Sequence, residues 1–100
     1  MIEKKQFYIN GKWVDPINKN ELEVIDPSNE EVCAVISLGD SEDTNLAVES
    51  AKKAFPMWSS TSKEERIKML ENLYEIYKSR WNKMAESISL EMGAPIDWSI

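Results

Sequence analysis

The 100-residue chain contains no histidine, one cysteine and only three glycines. The lack of histidine removes the commonest general base and the commonest metal ligand. With Cys33 as the lone thiol, a zinc site and an internal disulfide are both excluded. Gly11, Gly39 and Gly93 lie far apart, so neither a dinucleotide-binding fingerprint nor a P-loop is present. These absences indicate that the chain itself carries little catalytic chemistry.

Basic charge and long apolar runs are also scarce. Lysine and arginine number 12 against 18 acidic residues, which gives a net charge of −6. Such a chain is a poor candidate for binding nucleic acid or an anionic membrane surface. The longest strictly apolar run, Val32 to Ile36, is too short to span a bilayer, and no signal-peptide pattern follows the N-terminal lysines. We therefore expect a cytoplasmic protein with neither a membrane nor a nucleic-acid partner.

Residues 1–40 are predicted to form four short strands. The Asn10-Gly11 pair tolerates positive φ and predicts a hairpin between residues 7–9 and 12–14. A third strand covers residues 21–26 and ends at a turn that begins Asp26-Pro27. A fourth covers residues 31–38, and its apolar centre predicts cover on both faces.

Residues 41–100 are predicted to be helical. Ser41 is a candidate N-cap for a helix that reaches about Phe55, because Pro56 disfavours helical geometry in the residue before it. Residues 58–61 form a linker. Ser62 and Glu65 then match a capping box, and the helical pattern continues to Met92, with Gly93 as the terminating residue. Weak helix formers predict a break near residues 80–82, which gives two or three helices in all. Because the strands come first and the helices follow, the predicted fold class is α+β.

One apolar stripe follows the helical repeat along residues 62–93. Its members recur at spacings of three and four: Ile67, Leu70, Tyr74, Tyr77, Trp81, Met84 and Ile88. This spacing predicts a face that is buried in the core of a complete domain, rather than an aromatic platform for bases. A chain without the elements that cover such a stripe would leave it exposed.

The remaining candidates for chemistry have structural explanations. Cys33 lies in an apolar strand without a neighbouring base, so we interpret it as a buried structural residue. Adjacent acids occur as Glu30/Glu31, Glu42/Asp43 and Glu64/Glu65. The first pair lies beside a turn, and the other two lie at helix starts, where acids are favoured and neighbouring residues do not face each other. We therefore interpret all three pairs as solvated surface rather than as acid–base dyads.

The order of segments resembles the N-terminal region of the aldehyde dehydrogenase superfamily. The resemblance extends over residues 6–96, with Ala94 where the family very often has lysine. The matching segments are Tyr8-Ile9-Asn10-Gly11-Lys12-Trp13-Val14, Val24-Ile25-Asp26-Pro27-Ser28-Asn29-Glu30, Ala47, Val48, Ala51, Ala54-Phe55, Trp58, Glu65-Arg66, Leu70 and Ser89-Leu90-Glu91-Met92-Gly93-Ala94-Pro95.

The resemblance implies an enzyme that oxidises aldehydes to acids with NAD⁺ or NADP⁺ through a cysteine-bound thiohemiacetal and thioester. In the family, the nucleophilic cysteine and the cofactor-binding residues lie downstream of this region, and Cys33 does not match the nucleophile's motif. No catalytic or cofactor-binding residue is therefore expected in this chain, which is predicted to be inactive alone. Residues 1–40 and 41–100 together would form the N-terminal part of an NAD(P)-binding domain.

The resemblance also implies a possible structural Na⁺ or K⁺ site and a set of partners. Some family members bind a monovalent cation at positions that match Val24, Ile25 and Glu91, and the alternative for Glu91 is a solvated acid at a helix end. The expected partners are the remainder of the catalytic chain, an aldehyde substrate and further copies in a homo-oligomer. A different interpretation, a self-contained α+β protein-interaction module, stays open.

Overall fold

The computed structural model describes all residues, 1–100, as five strands followed by four helices. The strands are β1 (Ile2–Lys4), β2 (Phe7–Ile9), β3 (Lys12–Val14), β4 (Glu21–Asp26) and β5 (Glu31–Ser37). The helices are α1 (Ser41–Ser59), α2 (Lys63–Ser79), α3 (Trp81–Met92) and the single turn α4 (Ile96–Ser99). The predicted α+β class is confirmed.

The chain forms two compact units. The first contains residues 1–25 and 31–59, and the second contains residues 26–30 and 60–100. The division at residue 40, which the order of predicted strands and helices suggested, stays a prediction, because the compact units group residues by contact rather than by type of element.

In the first unit, β5 is the central strand of a sheet with the order β1-β5-β4. β1 pairs with β5 in parallel, with Ile2 opposite Ala34 and Lys4 opposite Ile36. The prediction of four strands missed β1, since three exposed residues form a strand here only through pairing with a distant partner. Residues 32–37 of β5 are half-buried, so the described chain does not cover the strand fully on both faces.

β2 and β3 form the predicted hairpin. Asn10 and Gly11 have φ of 55° and 73°, which is the left-handed geometry that a tight hairpin turn requires. The exposed rings of Tyr8 and Trp13 lie opposite each other with their centroids 5.2 Å apart. The hairpin contacts α1 through β2.

Two boundaries of α1 differ from the prediction. Asp40, rather than Ser41, caps the helix, because its Oδ1 accepts hydrogen bonds from the backbone N–H groups of Glu42 and Asp43 at 2.9 and 3.2 Å. The helix also continues through Pro56 to Ser59, so the predicted linker at 58–61 is shorter. Residues 51–59 are all exposed, and water can therefore bond the Lys52 carbonyl that the proline ring leaves free.

In the second unit, the predicted helix signals are confirmed. Ser62 Oγ accepts a bond from the Glu65 N–H at 3.2 Å, and the Glu65 carboxylate accepts one from the Ser62 N–H at 2.7 Å. α2 ends at Ser79 and α3 begins at Trp81, which is the predicted break. Gly93 ends α3 in the left-handed region, with φ of 71°.

The apolar stripe on α2 and α3 is largely exposed. Ala85 is the only buried hydrophobic residue in the chain, whereas Leu70 is 65% exposed and Trp81 is 43% exposed. The core that the stripe was predicted to join is not supplied by residues 1–100. The exposure agrees with what was expected of this stretch on its own.

Candidate functional site

The turn between β4 and β5 is built around the carboxylate of Asp26. Its Oδ1 accepts bonds from the N–H and the hydroxyl of Ser28, at 2.9 and 2.7 Å. Both bonds lower the pKa of Asp26 below its ordinary value, and the bond from the Ser28 hydroxyl has the larger effect. The Asp26 carbonyl accepts the N–H of Glu30 at 2.8 Å, and Glu30 has φ of 60°. The Asp26 carboxylate therefore stabilises the turn, which is a structural role rather than a catalytic one.

The end of α3 packs against this turn. A Cβ placed on Gly93 would lie only 2.9 Å from Cγ of Pro27. The Gly93 N–H donates to the Ser89 carbonyl at 2.9 Å, and Ser89 Oγ donates to the Ala94 carbonyl at 2.7 Å. Gly93 therefore meets two requirements, a positive φ and a close approach of the turn to the helix end.

The predicted cation ligands lie in both units. Val24 and Ile25 are consecutive residues of β4 in the first unit, and Glu91 is an exposed residue of α3 in the second. The Val24 carbonyl already accepts a bond from the Cys33 thiol at 3.4 Å. No group of three or more His, Cys, Asp or Glu side chains suits a metal ion. The Na⁺ or K⁺ site stays a prediction.

Cys33 is a half-buried residue of β5, and its thiol is used within the sheet. Its hydrogen-bond partner is the backbone carbonyl of Val24. A nucleophilic cysteine requires a base or a cation that stabilises the thiolate, and a carbonyl oxygen is neither. The geometry supports a structural role.

Asp43 is the one charged residue that the chain buries, and it is 6% exposed. Its Oδ1 accepts the Ile17 N–H at 3.0 Å and its Oδ2 accepts the Asp40 N–H at 3.1 Å. The interpretation of Glu42/Asp43 as solvated surface is therefore wrong for Asp43. The signal that was missed is the spacing of Asp40 and Asp43, because a cap three residues before an acid allows reciprocal capping.

Asp40 has a second partner outside the helix. The Asn18 amide donates to its Oδ2 at 2.7 Å. This bond, together with the backbone donors of Asp43 and Glu42, lowers the pKa of Asp40. The cluster joins the loop after β3 to the start of α1, and each carboxylate has a structural partner.

A groove of about 330 Å³ lies at the junction of α2 and α3. We call it the junction groove and define it by an apolar floor of Leu73, Ile76, Tyr77 and Met84 and a basic rim of Arg80 and Lys83. Tyr77 also contacts Trp81 edge to face, with ring centroids 5.3 Å apart. Sequence periodicity predicted Tyr77 and Met84 as members of the apolar stripe but did not predict the two cations beside them.

No helix in the chain combines the length and the apolar content that crossing a bilayer requires.

Comparison with known proteins gives one consistent result. The model of the aldehyde dehydrogenase family matches residues 13–99. The chain is 43% identical over 96 residues to a 3-succinoylsemialdehyde-pyridine dehydrogenase of a Pseudomonas species, covering 96% of the chain and 20% of that protein.

Two crystal structures match the fold closely. An aldehyde dehydrogenase from Bartonella henselae is 54% identical with a TM-score of 0.97, and the match covers 99% of this chain and 21% of that one. Aldehyde dehydrogenase C of Pseudomonas syringae, a mutant in complex with NAD⁺ and octanal, is 38% identical with a TM-score of 0.93, covering 95% and 20%. The chain thus spans about a fifth of the length of the relatives it matches.

Proposed function

Because the chain belongs to the aldehyde dehydrogenase family, we propose that it is the N-terminal portion of an enzyme that oxidises an aldehyde to a carboxylic acid with NAD⁺ or NADP⁺. The observation that carries this proposal is the match of nearly the whole chain to about a fifth of each relative. The reaction converts an aldehyde, water and the oxidised nucleotide into an acid, the reduced nucleotide and a proton. The chain's share of this work is structural.

The residues present support a scaffold role. The only thiol donates to a backbone carbonyl, and the buried carboxylate of Asp43 accepts two backbone N–H groups. A dinucleotide site does not fit these residues, because the three glycines serve a hairpin turn, a position beside Phe7 and a helix end. We assign catalysis and nucleotide binding to the part of the enzyme beyond these residues.

The exposed area supports an incomplete domain. The chain exposes 8401 Å², whereas a folded monomer of its mass, 11.5 kDa, is expected to expose about 5,800 Å². A partner that covered this excess, roughly 2,600 Å² on the side of this chain, would bury about 5,200 Å² over both surfaces, which is the size of a large and permanent interface. We infer that the rest of the catalytic chain covers this area.

The solved relatives support a nicotinamide cofactor but do not decide between NAD⁺ and NADP⁺. Solved relatives hold NAD⁺, among them the Pseudomonas syringae enzyme with octanal and a betaine aldehyde dehydrogenase from Staphylococcus aureus. They support a nicotinamide cofactor for the enzyme proposed here. The homo-oligomeric state and the cytoplasmic location stay predictions, and the residues of this chain predict neither a particular aldehyde nor a preference between NAD⁺ and NADP⁺.

The second candidate is a self-contained interaction module. The observation that favours it is the exposed junction groove, because large apolar patches on a soluble chain mark binding surfaces. An independent module would melt cooperatively as a monomer. A piece of a larger domain would associate or lack a cooperative transition.

The proposal is tested in the longer protein in which residues 1–100 precede the catalytic part. We expect aldehyde-dependent reduction of NAD⁺ or NADP⁺ by that protein, and loss of both folding and turnover when residues 1–100 are deleted. A catalytic part that folds and turns over equally well without these residues would contradict the scaffold role.

A further inference from the structure

We infer that the junction groove seats a segment of the enzyme's catalytic part that presents a carboxylate beside an apolar side chain. The inference rests on the proposed function, because it takes the occupant from the same polypeptide. It goes beyond that function by naming the surface, the chemistry of the occupant and the two cations that select it.

The floor of the groove supplies the apolar half of this recognition. Leu73 and Ile76 are 61% and 51% exposed, and Tyr77 and Met84 lie beside them. Side chains of this size gain free energy when they leave water, so the floor favours an apolar occupant. The edge-to-face contact of Tyr77 with Trp81 holds one wall in place.

The rim supplies the charged half. Arg80 and Lys83 form no ion pair, as is true of most basic side chains in the chain, so both are free to bind an acid from outside it. Two unpaired cations at the edge of an apolar floor favour an occupant with a carboxylate, and the guanidinium can bind both of its oxygens. The chain as a whole is acidic, so the basic rim is a local departure from its net charge of −6.

A second copy of the chain fits the groove poorly. Antiparallel pairing of two α2 helices about Leu73 would place Arg80 of one copy opposite Arg66 of the other, and like charges that face each other repel. Glu65 lies near Arg66 but already accepts the Ser62 N–H in the capping box. The same helix face therefore lacks a free acid that could meet the rim.

The test measures thiol labelling of a Ser87→Cys variant of the longer enzyme, both in the native state and in denaturant. Ser87 is exposed and lines the groove, and Glu71→Cys on the opposite side of α2 is the matched control. Labelling is quantified by peptide mapping in a Cys33→Ala background. In the native enzyme we expect residue 87 to react at least about tenfold more slowly than residue 71, since a seated segment must open first, whereas in denaturant the two residues react at one rate.

Charge variants of the longer enzyme then test the rim. Arg80→Glu/Lys83→Glu should restore most of the labelling rate at residue 87, and Lys68→Glu, a charge reversal outside the groove, should leave it slow. The milder Arg80→Gln/Lys83→Gln pair should give an intermediate rate, and helix content measured by circular dichroism shows that each variant is folded. The exchange Arg80→Lys/Lys83→Arg should keep the protection.

Three results would overturn the inference. Equal labelling of residues 87 and 71 in the native enzyme would show that nothing from the catalytic part seats there. If residue 87 stays equally protected in the Arg80→Glu/Lys83→Glu and Arg80→Gln/Lys83→Gln variants, the occupant is not acidic. Protection of residue 87 in the longer enzyme that is lost on dilution would identify a second copy as the occupant. Aldehyde-dependent nucleotide reduction in the same preparations tests the proposed function separately, so the two can fail independently.

Discussion

Gly93→Ala is expected to destabilise the chain more than Gly11→Ala, the same substitution at the other glycine with a positive φ. Gly93 has φ of 71°, and a residue with a Cβ in that region costs about 1–2 kcal/mol. In addition, the new Cβ would lie 2.9 Å from Cγ of Pro27. The proline ring is rigid, so the turn must shift, and overpacking of this kind costs about 1–3 kcal/mol. We therefore expect a total loss of about 2–5 kcal/mol in the free energy of unfolding.

Gly11→Ala is the matched control. Gly11 has φ of 73°, almost the same as Gly93, but no atom lies within 4 Å of a Cβ built there. Its alanine variant should lose only the conformational cost of about 1–2 kcal/mol. Unfolding in urea, followed by circular dichroism, measures both losses in the longer enzyme.

A double variant isolates the contact. Replacing Pro27 with alanine removes Cγ, so Gly93→Ala should cost about 1–3 kcal/mol less in a Pro27→Ala background than in the parent. Equal losses for the two single glycine variants, or no recovery in the double variant, would refute the claim that the turn packs tightly against the end of α3.

Three further predictions concern single side chains. Asp43→Asn should cost about 1–3 kcal/mol in urea unfolding, because a buried acceptor of two backbone bonds is replaced by an amide with one oxygen; a loss within about 0.5 kcal/mol, as at ordinary surface positions, would contradict this. In the longer enzyme, Cys33→Ala should keep normal turnover and Cys33 should resist thiol reagents, and rapid labelling at Cys33 in the native protein would count against the structural role. Asn18→Ala should raise the pKa of Asp40 towards its ordinary value of 3.8, as followed by a carboxyl NMR titration. Because the pKa of Asp40 is lowered in the folded chain, the ionised carboxylate stabilises the fold above pH 3.8, and this contribution is lost as the pH falls through the folded-state pKa. The free energies of unfolding of the variant and the parent should therefore converge in acid. An unchanged titration of Asp40 in the variant would show that the Asn18 amide does not affect this carboxylate.

Local signals in the sequence were sufficient for the features that depend on neighbouring residues. The Asn10-Gly11 hairpin, the capping box of Ser62 with Glu65 and the helix end at Gly93 all appear where they were predicted. Each depends on side-chain and backbone chemistry within a few residues, which is visible in one sequence. The resemblance to aldehyde dehydrogenases, carried by residues 6–96, is confirmed by the family match over residues 13–99.

Features that depend on distant contacts were missed. β1 forms because Ile2–Lys4 pairs with β5, more than thirty positions along the chain, and no local pattern in three residues indicates this. The burial of Asp43 depends on the Ile17 N–H, 26 residues away. The end of α1 was predicted too early because the proline rule takes no account of a solvent-exposed last turn. The lack of ion pairs at the rim of the junction groove could be recognised only from the positions of the side chains.

The central claim is that residues 1–100 are a scaffold without catalytic capacity, and nucleotide reduction by the purified chain tests it most directly. Residues 1–100 are incubated with an aldehyde and NAD⁺ or NADP⁺, and absorbance at the reduced-cofactor band is followed against buffer. The account predicts no aldehyde-dependent increase, because the only thiol is a hydrogen-bond donor within a sheet and the chain contains no histidine. Aldehyde-dependent turnover that scales with the concentration of this chain would contradict the account.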